Sequence, residues 1–445
     1  MTRLARFAPW FSRLVVLGLL VALAIPAWAD KEKKSRPKPE TTKVQGVRQW
    51  AFKRLDRAHR ALAEGNLAEC TAALDEMKRN DRKLNGHERS LMWQTYGYIQ
   101  ASREQYAKAV DSFERSLEGD GLPVAAKQNV RYNLAQLYCM IERWDDAIRT
   151  FLVWFEQTED VPADAHYLLA MAYVQKGQRA KAMPHARQAI AKATAPKEPW
   201  LQLLLSLLLE GERFREAVPV LEQLVARFPK KTYWMQLSTV HSQLDEHREA
   251  LAAMELAYDQ GMLRTHREIT RLAQLYLYNA IPYKAAEILD RGLADEMLES
   301  DAETWELLAN AWLQARERDR ARTPLERAAR LSSNGRLYVR LAQVQLDQEQ
   351  WPEARTSLTA ALRKGGLDKP GQVQLLLGIA SASEERWDEA HTAFTAARDH
   401  ADTENAAQQW LASIESELEL EEAEDTVDDA APDASGDELD EETES

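Results

Sequence analysis

The chain has 445 residues, 45% hydrophobic and 29% charged, with 17 Gly, 16 Pro, two Cys and a net charge of −14. That composition excludes a collagenous or low-complexity chain and a disulfide-dense scaffold. The charge is uneven: of 71 acidic and 57 basic residues, 16 acidic and no basic ones lie between Glu415 and Ser445, so the remainder is close to neutral and offers no dominant basic field for nucleic acid.

Residues 1–29 read as a secretory signal. Arg3, Arg6 and Arg13 give a positive start, and Leu14–Ile25 is a 12-residue apolar run, short for a bilayer span. Ala27-Trp28-Ala29 fits a small-x-small cleavage pattern that leaves Asp30 first. An uncleaved anchor is the alternative. No Cys follows the cleavage site, which argues against a lipoprotein. The expectation is a periplasmic protein with no stable membrane span after signal removal. Residues 30–45 are polar and basic, with Pro37 and Pro39, and read as a flexible linker.

From 46 to 400 one unit recurs. A packing residue, Ala in nine of ten copies, stands at Cys70, Ala109, Ala147, Ala182, Ala217, Ala250, Ala285, Ala321, Ala354 and Ala390, at steps of 33 to 39 residues. A second small position precedes each: Ala58, Gly97, Ala135, Ala170, Leu205, Ser238, Ala273, Ala309, Ala342 and Gly378, with Leu205 crowding the fifth copy. The clearest copy is Glu303–Ser333. Trp305, Leu308, Ala309 and Trp312, then Ala321, Leu325 and Ala328, recur every three or four residues on either side of a charged turn, Arg316–Arg320. That spacing predicts two amphipathic helices folded back on each other, with the small residues where the backbones approach most closely.

This pattern resembles the tetratricopeptide repeat. The resemblance implies an all-α fold: a right-handed α-α superhelical solenoid of about ten helix pairs. Cys70 and Cys139 lie two repeats apart, too far for a disulfide, and read as buried small residues. The turns repeat too, in Glu142-Arg143-Trp144, Glu349-Gln350-Trp351 and Glu385-Arg386-Trp387, each placing an aromatic at a helix start. Pro184, Pro219 and Pro324 sit about a turn inside the second helix of their pairs, where distortion is expected. Residues 404–420 read as a capping helix with Ala407, Trp410, Leu411 and Ile414 on one face, and 421–445 as an acidic disordered tail.

No catalytic constellation is present: the chain lacks G-x-x-x-x-G-K-[ST], G-x-G-x-x-G after a strand, G-x-S-x-G and H-E-x-x-H. His241 and His247 are badly spaced for a shared metal, and His185, His266, His391 and His400 lack close His or Cys partners in the sequence. The expectation is no enzyme, no cofactor and no metal. What remains is surface. The first helix of each pair lines a concave groove, which the register fills with Tyr98, Tyr132, Gln136, Tyr167, Met171, Gln202, Met235, Thr239, Gln274, Tyr278, Asn310, Gln314 and Gln343. Amides bond an extended peptide backbone in both senses and Tyr supplies contact area. The alternative is that these are ordinary solvated positions. The Lys/Asn pattern that clamps a terminal carboxylate in some relatives is absent.

Three stretches, Leu272-Ala273-Gln274-Leu275-Tyr276-Leu277 with Pro282-Tyr283-Lys284-Ala285-Ala286, Lys230 through Ser238, and Ala406-Ala407-Gln408-Gln409-Trp410-Leu411, resemble the periplasmic tetratricopeptide proteins encoded beside TonB–ExbB–ExbD clusters. That resemblance implies a non-catalytic interaction scaffold accessory to TonB-dependent outer-membrane transport. Its partner would be a protein or extended peptide segment such as a TonB-complex component. The alternative is a scaffold for envelope assembly: polysaccharide export, pilus or division machinery. A third, weaker reading is a metal-binding or enzymatic protein.

Overall fold

The computed structural model describes residues 45–119 and 121–415. The expected signal at 1–29, nearly all of the expected linker, the last residues of the expected capping helix and the expected tail at 421–445 lie outside the described residues. Among the described residues every regular element is helical, as the apolar period of three to four demands.

The chain divides into two compact units at Pro229 and Lys230. The first holds the pairs α1 (Gln49–Ala63) with α2 (Leu67–Arg79), α3 (Gly86–Ser102) with α4 (Tyr106–Leu117), α5 (Val124–Met140) with α6 (Trp144–Glu156), α7 (Ala163–Gln175) with α8 (Arg179–Lys192), and α9 (Glu198–Glu210) with α10 (Phe214–Arg227). The second holds α11 (Lys231–Gln243) with α12 (His247–Asp259), α13 (His266–Tyr278) with α14 (Pro282–Ala294), α15 (Ala302–Gln314) with α16 (Arg318–Leu331), α17 (Arg336–Leu346) with α18 (Trp351–Lys364), and α19 (Pro370–Ala382) with α20 (Trp387–Arg398). A last helix, α21, covers 404–415. Odd-numbered helices up to α19 are the A helices and even-numbered ones the B helices.

All ten B-helix packing residues, from Cys70 to Ala390, are fully buried. So are their A-helix counterparts, including Leu205 at 4% exposure and the two glycines. The glycines have a specific cause. A Cβ on Gly97 would stand 2.6 Å from the Phe113 ring, and one on Gly378 would stand 2.6 Å from the Phe394 ring. In these two pairs a B-helix ring takes the space that an A-helix methyl would need.

Each A helix closes in the same way. Two residues after each A helix, or three after α17 and α19, the backbone has a positive φ: Gly65, Glu104, Glu142, Gly177, Glu212, Asp245, Ala280, Arg316, Glu349 and Glu385. The next N–H then reaches back five residues, as in Asn66 to Ala61, Arg143 to Tyr138, Glu317 to Trp312 and Arg386 to Ser381. This is the Schellman closure, which satisfies carbonyls the helix leaves orphaned.

Neighbouring pairs are latched. The hydroxyl of Tyr138 donates to Glu114, that of Tyr276 to Glu255 at 2.7 Å, and the Trp312 indole to Asp290. In each case an A-helix aromatic reaches a carboxylate on the preceding B helix. Helices α8, α10 and α16 continue through Pro184, Pro219 and Pro324. Cys70 and Cys139 are buried and unbonded, and burial pushes their thiols up to about 11 and about 12. On α21, Ala407, Leu411 and Ile414 are buried, while Trp410 stacks on Phe394 at 5.4 Å and stays 39% exposed.

Candidate interaction faces

In the first unit the groove positions are largely engaged in packing. Tyr98 sets its ring edge-on to Phe113 at 5.2 Å and accepts a hydrogen bond from Asn133 at 3.3 Å. Tyr132 packs on Trp154 at 4.8 Å and bonds Gln136, and burial raises its hydroxyl pKa. Tyr167 departs from the groove expectation. It is only 8% exposed, stacked on Trp200 at 5.6 Å, and burial pushes its hydroxyl up to about 12. The large indole on α9 covers it, and the helical register of α7 alone does not reveal that cover. Gln202 bonds Glu198 at 3.2 Å, and Met171 is half-buried.

The second unit is more open. Met235 is half-buried against the core, whereas Thr239, Gln274, Tyr278, Gln314 and Gln343 are exposed. Tyr278, at 68% exposure, rests its ring on His247 at 4.3 Å. Arg267, Arg271, Gln274 and Tyr278 follow one another at helical spacing, so they form one stripe along α13. Arg271 donates from Nη2 to Thr239 Oγ1 at 2.9 Å, joining α13 to α11. Arg340 donates to Asn310 Oδ1 at 2.6 Å, joining α17 to α15. Reading the faces as amides and Tyr missed these arginines, although each stands three residues before a candidate Gln, at 274 and at 343.

His185 also corrects an expectation. It has a close His partner: Nδ1 of His166 lies 3.1 Å from Nδ1 of His185, across the α7–α8 turn. Phe155 stands edge-on to both rings and Tyr173 stacks on His185. Burial lowers both pKa values, that of His166 to about 4, with His185 and then Lys192 adding repulsion. Among the described residues no group of three His, Cys, Asp or Glu is placed to hold a metal. No described helix is long and apolar enough to cross a membrane. An open cleft of about 600 Å³ lies between α8 and α9, lined by Arg179, Arg187 and Arg213. These arginines are already paired with Glu210 and Glu216.

Models of the tetratricopeptide repeat match residues 163–191, 203–263 and 339–406. The chain carries tetratricopeptide repeats. A search of curated protein sequences found no significant match. Among solved structures, a tetratricopeptide repeat protein from Parabacteroides merdae is 14% identical, with 67% of this chain and 99% of that chain covered at a TM-score of 0.34. YrrB, described as a TPR protein with an unusual peptide-binding site, is 14% identical over 42% of this chain and 90% of its own at 0.34. The TPR2AB domain of yeast Sti1, solved with pHSP90, is 14% identical over 60% and 99% at 0.31. At such scores the tetratricopeptide assignment rests on the sequence models and the helix pairs, not on these superpositions.

Proposed function

We propose that the chain is a non-catalytic interaction scaffold, exported to the periplasm, whose A-helix faces hold an extended segment of a partner protein. The observation that carries this is the open stripe of α13. Gln274 and Tyr278 stand exposed beside Arg271 and Thr239, and no core contact accounts for that exposure. Exposed amide, hydroxyl and guanidinium groups in a row can bond a peptide backbone and its side chains. Stacked helix pairs present such faces as their ordinary means of recognition.

The periplasmic setting rests on Arg3, Arg6 and Arg13, the Leu14–Ile25 run and Ala27-Trp28-Ala29. An accessory role in TonB-dependent transport rests on the resemblance of the Leu272–Ala286 stretch, and the partner would then be a component of the TonB complex. Capture from a periplasmic extract tests the reading. The full chain should retain a defined partner, and the Gln274→Ala, Tyr278→Ala double variant should lose most of it. Retention of the same proteins in the same amounts by both would sink the reading. Mass spectrometry of the exported chain should place its N-terminus at Asp30.

A further inference from the structure

The second unit contains one arginine pair twice. Arg267 and Arg271 on α13, and Arg336 and Arg340 on α17, stand six and two residues before the small packing residues Ala273 and Ala342. The inner guanidinium makes the same bond in both, to Thr239 on α11 and to Asn310 on α15. The two sites differ at one place. On α15, Glu306 meets Arg336 with both oxygens at 3.1 Å and Arg340 at 3.3 Å. The residue in the same register on α11, three before the small position Ser238, is Met235. Among the described residues no carboxylate lies within ion-pair distance of Arg267 or Arg271.

Arg271 is therefore a half-buried cation with a neutral hydroxyl for company and a second guanidinium nearby. Partly desolvated charge without a counter-charge is unfavourable, and a carboxylate relieves it. The α15–α17 contact shows what the arrangement takes: one carboxylate held by two arginines. At α13 the fold leaves that carboxylate to be supplied from elsewhere.

We propose that Arg267 and Arg271 receive carboxylates of the chain's own C-terminal segment, residues 421–445, laid along the α13 stripe that Gln274 and Tyr278 continue. Charge complementarity favours this occupant, since Glu415–Ser445 has 16 acidic residues and no basic one. Reach allows it. The segment leaves the same unit after α21. Four stacked pairs at ~10 Å each separate α21 from α13 by ~40 Å, while 30 residues extend up to about 100 Å. The competing basic surface is α16. There Arg320 and Arg327 lie over the Trp312 and Trp305 rings at 4.7 and 4.5 Å, and Arg330 faces Glu326 at 3.6 Å. Much of its charge is engaged.

Tethering makes the docking intramolecular, at an effective concentration in the millimolar range. A partner segment would have to displace the tail. The inference goes beyond the scaffold reading and stands without it, since the tail docks whether or not a partner uses the face.

The test uses the full chain with one fluorophore on Ser435→Cys, Cys70 and Cys139 being buried. At low salt the label should rotate with the folded body. Arg267→Gln with Arg271→Gln should lose that slow rotation, and high salt should do the same. Arg267→Gln alone, at an exposed site that tolerates change, should lose it in part. Met235→Glu, which supplies the missing carboxylate from α11, should release the tail with both arginines intact. Arg322→Gln with Arg330→Gln on α16 should change nothing. A freely rotating label in the parent chain at low salt overturns the proposal. So does slow rotation that survives the α13 variants, or release by the α16 variant. Circular dichroism checks that each variant is folded, and none of these outcomes depends on partner capture.

Discussion

At the scale of single residues, the backbone departs most from its easy conformations at the ten A-to-B turns. Eight of the ten positive-φ positions carry a side chain: Glu104, Glu142, Glu212, Asp245, Ala280, Arg316, Glu349 and Glu385. For an L residue this region costs roughly 1–2 kcal/mol, and glycine avoids it at some entropic expense. Glu385→Gly should therefore raise stability by about 0.5–1 kcal/mol, read as a higher denaturant midpoint with an unchanged slope; a lower midpoint would contradict the account. The opposite result follows at Gly378, where φ is ordinary and the Phe394 ring fills the space. Gly378→Ala should cost about 1–3 kcal/mol by overpacking, and Phe394→Leu in the same chain should restore part of it. A neutral Gly378→Ala in urea unfolding would show that the ring can move aside. The small-residue register was legible in the sequence because close backbone approach favours small residues at nearly every spaced position, Leu205 being the large exception. The openness of Tyr167 and Tyr278 was not. Tyr167 stands three residues before its small position and Tyr278 five after, and the Trp200 that covers Tyr167 belongs to the next pair.

Among elements, the helix pair was readable and the coupling between pairs was not. Within a pair the apolar period names its own partner face. Between pairs, the latch joins residues such as Glu255 and Tyr276 through a hydroxyl that no apolar pattern records. Glu255 is held below the usual carboxylate range by Lys284 and then by Tyr276, so the latch combines an ion pair with a neutral donor. Lys284 stays solvated and contributes little by itself. Tyr276→Phe removes only the hydroxyl and should cost about 1.5–3 kcal/mol, as a hydrogen bond to a charged group does. The loss belongs at one joint. Amide exchange should quicken in α12 and α13 and stay unchanged in α5 and α6. Uniform quickening would mean that the latch is not local. The paired arginines of α13 and α17 were present in the sequence as a repeated spacing. Their meaning came only from the opposing element, Glu306 in one place and Met235 in the other.

On the scale of the molecule, the two compact units carry different chemistry, and acid should separate them. The His166–His185 contact lies wholly in the first unit and is compatible with at most one proton between the two facing nitrogens. It was not legible in the sequence, because the two residues stand 19 apart on opposite sides of a turn and meet only once α7 and α8 fold together. Burial, mutual repulsion and Lys192 hold His166 near 4, and burial lowers His185. Unfolded, each would titrate near 6.5. Between those values the unfolded chain binds protons that the folded chain refuses, so the stability is fully present above about 6.5 and is lost as pH falls toward 4. At pH 5 the loss from His166 alone is on the order of 2 kcal/mol, and His185 adds to it in the same direction. Hydrogen exchange at pH 7 and pH 5, corrected for the intrinsic rate, should show residues 163–192 opening more readily in acid. His185→Leu should blunt that response even if it lowers stability at pH 7, because it removes one titrating ring and leaves its packing volume occupied. An acid response of the same size in His185→Leu and in the parent would assign the effect to other groups.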